Sequence, residues 1–155
     1  MTLFYVLNNF KLYNNNFRTN CLDLFKSNVP NFFDPSEEIL FNHYLQKDNV
    51  NYFLLFNCNN QLMAAGGYEL EKTLNTIALT WGMVHTRYHK KGYGKSLVEF
   101  RLKSIANYYP QFDVVLNTSQ KTFRFYEKLG FKLVSIKKDY YGVGLDRYDM
   151  IKSKH

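Results

Sequence analysis

Val84-His85-Thr86-Arg87-Tyr88-His89-Lys90-Lys91-Gly92-Tyr93-Gly94-Lys95-Ser96-Leu97 joins a β-prone segment to a helix-forming one through a glycine-spaced, cationic turn. Residues 75–84 read as a strand, and residues 95–109 as a helix with Val98, Leu102, Ile105 and Tyr109 along one stripe, stopping at Pro110. The start of a helix leaves backbone N–H groups without intrahelical acceptors and carries partial positive charge, so such a turn is predicted to hold an anion. Gly92 and Gly94 let the main chain approach a diphosphate without Cβ interference; Lys90, Lys91 and Lys95 add charge, and the Ser96 hydroxyl adds a donor. A P-loop requires four residues between its glycines, and a dinucleotide fingerprint requires a third glycine where Leu97 stands, so neither motif is present.

A Gly-x-Gly before a helix is turn chemistry as readily as a binding loop, and the second half of the chain separates the two readings. Residues 112–117 read as a buried strand, Ser119 as a cap, and residues 121–129 as a helix closed by Gly130. The run Phe125-Tyr126-Glu127-Lys128-Leu129-Gly130-Phe131 ends that helix. Together with His89-Lys90-Lys91-Gly92-Tyr93-Gly94 it resembles, in the right order, the two signatures of the GNAT superfamily of N-acetyltransferases. The first signature is usually Arg/Gln-x-x-Gly-x-Gly/Ala, and His89 departs from it by standing where Arg or Gln is usual. The resemblance spans roughly residues 60 to 150.

That resemblance implies an α/β (α+β) fold: a mixed, twisted, mostly antiparallel sheet of about six to seven strands, with helices on both faces and strands splayed at a cofactor notch. It implies acetyl-CoA as co-substrate, no metal, and direct transfer in a ternary complex to a primary amine, a small molecule being favoured over a protein N-terminus. The diphosphate would lie on His89, Lys90, Lys91, Gly92, Tyr93, Gly94, Lys95 and Ser96, and the pantetheine arm would pair with backbone at Met83 and Val84 like an added strand. Asn117, Ser119 and Phe125 would stand at the notch, and Tyr126 beside the coenzyme sulfur as proton donor to the departing thiolate.

Each of these residues also has a plainer reading. Tyr126 fits equally as a core aromatic beside Phe123 and Phe125. Glu69 is a candidate base, but Glu69 and Glu71 share parity on one strand and also read as exposed carboxylates at a strand end. His85 has a suitable intrinsic pKa and adjoins the expected acetyl position, yet it also fits a turn-stabilising role. The N–H of Val84 or His85 would serve as oxyanion donor. Ser119 fits a helix cap, and Trp81 and Met83, alternating with Gly82, fit wall or core.

At 155 residues the chain is sized for one domain, 1–155, with a core that needs neither disulfide nor metal. Its 46% hydrophobic and 18% aromatic content excludes a disordered chain. A net charge of +7 favours anionic partners, but Lys47, Lys72, Arg101, Lys103, Lys132, Lys137 and Lys138 are scattered, which disfavours nucleic acid. A non-catalytic basic module holding CoA or nucleic acid is the alternative. Cys21 and Cys58 form no metal or disulfide pattern and suit a reducing compartment, and no apolar run approaches the ~20 residues of a membrane helix. These features place the protein in the cytoplasm, off the membrane, as a monomer or homodimer.

Upstream, residues 3–7 read as a strand and residues 18–27 as a helix. Asp34-Pro35-Ser36-Glu37 reads as a capping box opening a helix whose apolar positions are Ile39, Leu40, Tyr44 and Leu45. Residues 52–57, 61–70 and 75–84 form an antiparallel meander, with a turn at Asn59-Asn60 and a bulge at Gly66-Gly67. Strands over 131–138 and 147–151 close the chain. The segments 28–36 and 140–146 are expected to shape the acceptor pocket.

Overall fold

The computed structural model describes residues 9–154; the strand expected over 3–7 lies outside them. In chain order the elements are β1 (Phe10–Leu12), a 3-10 turn (Asn15–Phe17), α1 (Arg18–Ser27), α2 (Glu37–Leu45), β2 (Asn51–Phe56), β3 (Leu62–Glu71) and β4 (Thr76–Val84). A second 3-10 turn (Thr86–Tyr88), α3 (Tyr93–Tyr108), β5 (Asp113–Thr118), α4 (Phe123–Lys128), β6 (Lys132–Gly142) and β7 (Leu145–Lys152) follow. The seven strands form one open sheet in the order β1-β2-β3-β4-β5-β7-β6. Every neighbouring pair is antiparallel except β4 with β5. The short strand β1, which the sequence reading did not include, pairs with β2 from Phe10↔Leu55 to Leu12↔Phe53.

Helices α1 and α2 cover one face through Cys21, Leu24, Phe25, Phe41, Tyr44 and Leu45, which pack on Tyr52, Leu54, Ala65 and Met83. Helices α3 and α4 cover the other, where Val98 and Ile105 meet Tyr68, Ile77, Leu79, Val114 and Leu116. The capping box expected at α2 forms in part: the Asp34 N–H donates to Glu37 Oε2 at 2.9 Å, but Asp34 Oδ1 accepts the Ser36 N–H at 2.9 Å rather than the Glu37 N–H, and the N-cap of α2 is Ser36. The apolar face of α2 includes Tyr44 and Leu45 as expected, but not Ile39 and Leu40. Phe41, Tyr44 and Leu45 are buried, whereas Ile39 and Leu40 are 78% and 63% exposed, because Glu37 and Phe41, one turn apart, define the inward side.

The bulge falls where the glycines suggested, but its extra residue belongs to β4. Gly67 pairs with Thr80 and Ala65 with Met83, leaving Trp81 and Gly82 opposite Gly66 alone, and Trp81 takes a left-handed φ of 42°. One inserted residue reverses which face each later side chain meets. Ile77 and Leu79 therefore pack toward α3, while Trp81 and Met83, also odd-numbered, join the cluster under α1 and α2, and Gly82 turns toward α3.

Candidate active site

β4 and β5 are paired only from Thr76↔Asp113 to Ala78↔Val115. Beyond Ala78, β4 runs on to Val84, and the end of β5 pairs with β7 alone, through Leu116↔Met150, Asn117↔Asp149 and Thr118↔Tyr148. The two parallel strands thus part, opening a notch whose α3 side is closed by the loop 85–92. In that loop Lys90 (φ 60°) and Gly92 (φ 88°) are left-handed, a geometry that gathers successive N–H groups into an anion-binding concavity.

Gly92 is the N-cap of α3 and no side chain caps the helix; the Ser96 N–H donates to the Gly92 carbonyl at 3.1 Å. The amides of residues 93–95, ahead of that first helical bond, are the ones a bound anion would take. A Cβ on Gly92 would meet nothing within 4 Å, so the space before the helix end is open. Gly94 differs: its Cβ would lie 3.4 Å from Phe125 Cζ and 3.7 Å from Val84 Cγ2. Both glycines were assigned to the diphosphate from sequence. In the structure only Gly92 borders open space, and Gly94 lets α3 seat against Phe125 and Val84. Lys90 and Lys91 are exposed, with Lys91 Nζ 5.9 Å from the Tyr88 ring centroid, and Lys95 Nζ lies 3.7 Å from a Glu99 carboxylate oxygen. Tyr93 sits edge-on to Tyr88, ring centroids 6.0 Å apart. An open, uncapped helix start with three lysines around it suits a diphosphate.

Several polar groups at the end of β4 already have partners within the protein. The Val84 carbonyl, offered to a pantetheine amide, already accepts from Asn28 Nδ2 at 3.0 Å and His89 Nε2 at 2.7 Å, which occupies both of its lone pairs. Through Nε2, His89 latches the loop onto the strand end, with its ring edge-on to Phe32. The His85 N–H donates to the Met63 carbonyl at 2.8 Å and is not available as an oxyanion donor. With that bond in place, the alternation of the antiparallel ladder commits the Met83 backbone to Ala65 and turns the Val84 N–H away from β3, toward the notch. The His85 side chain is also engaged: its Nδ1 accepts the Arg87 N–H at 3.1 Å, and burial, then Arg87, holds its pKa below the ordinary value. It lines a cavity of about 190 Å³ with Asn20 and Asp23 of α1.

On α4, Tyr126 is half-buried, its ring edge-on to Phe125 (5.0 Å) and Phe131 (5.8 Å). Asn117 is exposed and its Oδ1 accepts the Tyr141 hydroxyl at 2.6 Å. Ser119 is buried, its Oγ accepts the Lys121 N–H at 3.3 Å, and its carbonyl accepts from Thr122 and Phe123. It shapes the turn ahead of α4, whose N-cap is Thr122, rather than capping the helix itself. On the opposite face, Glu69 pairs in register with Ala78, the last β4 residue joined to β5, so it stands level with the parting point. A Glu69 carboxylate oxygen lies 3.7 Å from Lys47 Nζ. Glu71, two residues farther along, accepts the Thr76 hydroxyl at 2.8 Å and lines a groove of about 330 Å³ floored by Ala78 and Val115 and walled by Asn117, Arg147 and Asp149.

The segments expected to shape an acceptor pocket do meet. A Cβ on Gly142 would run into the Asp34 carboxylate, and Gln120 ties the β6–β7 turn to α4 by donating to the Gly144 carbonyl (2.6 Å) and accepting the Asp146 N–H (2.9 Å). Beside Asp34, Glu37 is 7% exposed, and burial raises its pKa from 4.5 to about 7, against the Asp34 N–H bond that favours the charged form. A carboxyl with a raised folded pKa prefers its proton in the folded state. Its contribution to stability is complete below about 4.5 and is lost as pH rises through about 7. Urea melts of the wild type should therefore lose roughly 3 kcal/mol across that window, and Glu37→Gln should flatten the profile; equal profiles would contradict the burial of a protonated Glu37.

An open, mostly antiparallel sheet, split between two parallel strands and flanked by an uncapped helix start, defines the acetyltransferase class of fold. The chain belongs to the acetyltransferase (GNAT) domain family, whose model matches residues 27–154. No curated protein matches it in sequence. Among solved structures, an aminoglycoside 6'-N-acetyltransferase complexed with coenzyme A superposes with a TM-score of 0.74 at 15% identity, covering 94% of this chain and 97% of that one. The ribosomal-protein-S18-alanine N-acetyltransferase from Escherichia coli gives 0.76 at 17% identity over 93% and 92%. A mutant of the spermidine N-acetyltransferase from Vibrio cholerae gives 0.71 at 14% over 94% and 92%. Among the described residues no helix is long and apolar enough to cross a membrane, and no group of three or more His, Cys, Asp or Glu is placed to hold a metal ion.

Proposed function

We propose that this chain works as a single catalytic domain that moves an acetyl group from acetyl-CoA to the primary amine of a small molecule. The observation that carries the reading is the parting of β4 and β5 beside the uncapped start of α3. Acetyl-CoA supplies the activated acyl carbon. The amides of residues 93–95 and the side chains of Lys90, Lys91 and Lys95 bind its diphosphate, and the Val84 N–H aligns the arm that reaches into the notch. Tyr126 donates the proton that the departing sulfur requires.

The acceptor reaches the notch from the α1–α2 face, where the Asp34 carboxylate attracts an ammonium ion and where Glu69, level with the parting point, deprotonates the amine through water. His85 is left out of the chemistry because its ring nitrogen caps a turn. A calorimetric titration with acetyl-CoA, followed by a panel of polyamines, amino sugars and amino-terminal peptides read by free-thiol release, tests this. Thiol release with small amines is the expected result. No acetyl-CoA binding would remove the reading, and binding without release from any amine would favour a non-catalytic module.

A further inference from the structure

Glu69 and Glu71 share one side of β3, and only Glu69 has a part in the chemistry above. Glu71 pairs in register with Thr76 and accepts its hydroxyl on Oε2 at 2.8 Å, which fixes the carboxylate. Among the described residues its Oε1 accepts no hydrogen bond and neither oxygen has an ion pair. The groove of about 330 Å³ ends at this side chain.

That groove lies on the sheet face away from α3. Ile77, Leu79, Val114 and Leu116 pack under α3 and α4, so the alternating neighbours Ala78 and Val115 point the other way. Helices α1 and α2 leave it uncovered, since the cluster beneath them contains no residue of β5, β6 or β7 among the described residues. Ala78↔Val115 is the last pair before β4 and β5 part, and Asn117, beyond it, also lines the groove. One end therefore opens at the notch and the other stops at Glu71. At about 3.4 Å per residue, the step from Ala78 to Thr76 sets Glu71 about 7 Å from the parting point.

The charges along the groove do not cancel. Arg147 Nε donates to Asp149 Oδ1 at 2.7 Å, so those two walls neutralise each other, and Glu69 has Lys47 as its counter-charge at 3.7 Å. Glu71 is left uncompensated, on a chain of net charge +7, beside a floor of Ala78, Val115 and Ile151. The complementary ligand carries an aliphatic stretch and, at its far end, a cation. An amino sugar would lay hydroxyls on apolar floor without partners, and a peptide amino terminus would bring backbone groups that pair with a strand edge rather than a sheet face.

We propose that the acceptor is a linear aliphatic diamine. Its reacting nitrogen enters the notch beside Glu69, its methylene chain lies along Ala78 and Val115, and its second ammonium donates to Glu71 Oε1.

The diamine assignment rests on the reading of the notch as an acetyl-transfer site, and two measurements separate them. Cadaverine and pentylamine share a chain and differ in the second ammonium. Thiol release by the wild type should show kcat/KM for cadaverine about 10-fold above that for pentylamine. Glu71→Gln should lower the cadaverine value about 10-fold and keep the pentylamine value within about twofold. Ethylenediamine, too short to span both ends, should gain nothing over ethylamine. In calorimetry on CoA-saturated protein, where no acetyl group moves, the cadaverine dissociation constant should rise by about the same 10-fold in Glu71→Gln. Equal cadaverine affinity in the two proteins, or a diamine preference that survives in Glu71→Gln, would overturn the assignment. A concentration-dependent dimer that Glu71→Gln disperses, with no heat from cadaverine, would do so too and give the groove to a second copy of the chain. Failure of every amine to release thiol, with the calorimetric difference intact, would instead remove the acetyl-transfer reading and leave the diamine as a ligand of the groove.

Discussion

Tyr126→Phe is expected to lower kcat for acetyl transfer by about 100-fold, the low end for loss of a positioned general acid, with the acetyl-CoA dissociation constant held within about threefold. The split follows from what the substitution removes. The ring stays edge-on to Phe125 and Phe131, so packing of α4 is kept and stability should change by no more than about 1 kcal/mol, the worth of one hydroxyl hydrogen bond. The hydroxyl is lost at the moment the sulfur acquires charge, which is felt in turnover and not in ground-state binding. Stopped-flow thiol release with saturating acetyl-CoA measures the effect directly. A variant with unimpaired turnover would mean that water protonates the sulfur and that Tyr126 is core and nothing more.

Gly92→Val should act on the other quantity. At φ 88° a β-branched residue is strained by about 1–3 kcal/mol, and its side chain would project into the space that is open before α3. Losing one or two charge-assisted amide contacts to a diphosphate, at about 1.5–3 kcal/mol each, corresponds to a fall in acetyl-CoA affinity of 10-fold to well over 100-fold. Gly94→Ala serves as the internal control. Its Cβ meets Phe125 and Val84 at ordinary contact distances, so it should perturb binding far less. Calorimetry on both variants, with urea melts to confirm folding, decides the matter. Equal affinities in Gly92→Val and wild type would show that the cradle is not where the coenzyme is held.

The parts of this molecule that could be read from its sequence are those whose cause is local. Helix α1 runs over the expected residues 18–27 because Cys21, Leu24 and Phe25 recur at helical spacing within it, and the Asp34 N–H reaches the Glu37 carboxylate because the two residues are three apart. The turn at Gly92 needs a left-handed residue, and only the chain itself supplies one. On α2 Tyr44 and Leu45 face the core as expected, but Ile39 and Leu40 do not, because they are apolar enough for either side and the choice belongs to what α2 packs against. The bond of His89 Nε2 to the Val84 carbonyl could not be read from its motif position, because the fold of the loop presents that carbonyl to it.

Sequence alone determined the family and the glycine turn into α3, since two contiguous motifs and the hydrophobic periodicities encode them within a few turns of chain. Tertiary structure alone decided which polar groups are already engaged and which are left over. The Val84 carbonyl is filled by Asn28, 56 residues away in the chain. Arg101 is buried beneath a bulge made by Gly66 and Gly82 on two different strands, and Trp81 changes face because of that bulge. Burial and pairing are properties of groups that meet in space, and the contact between two strands and a helix is written in no single segment.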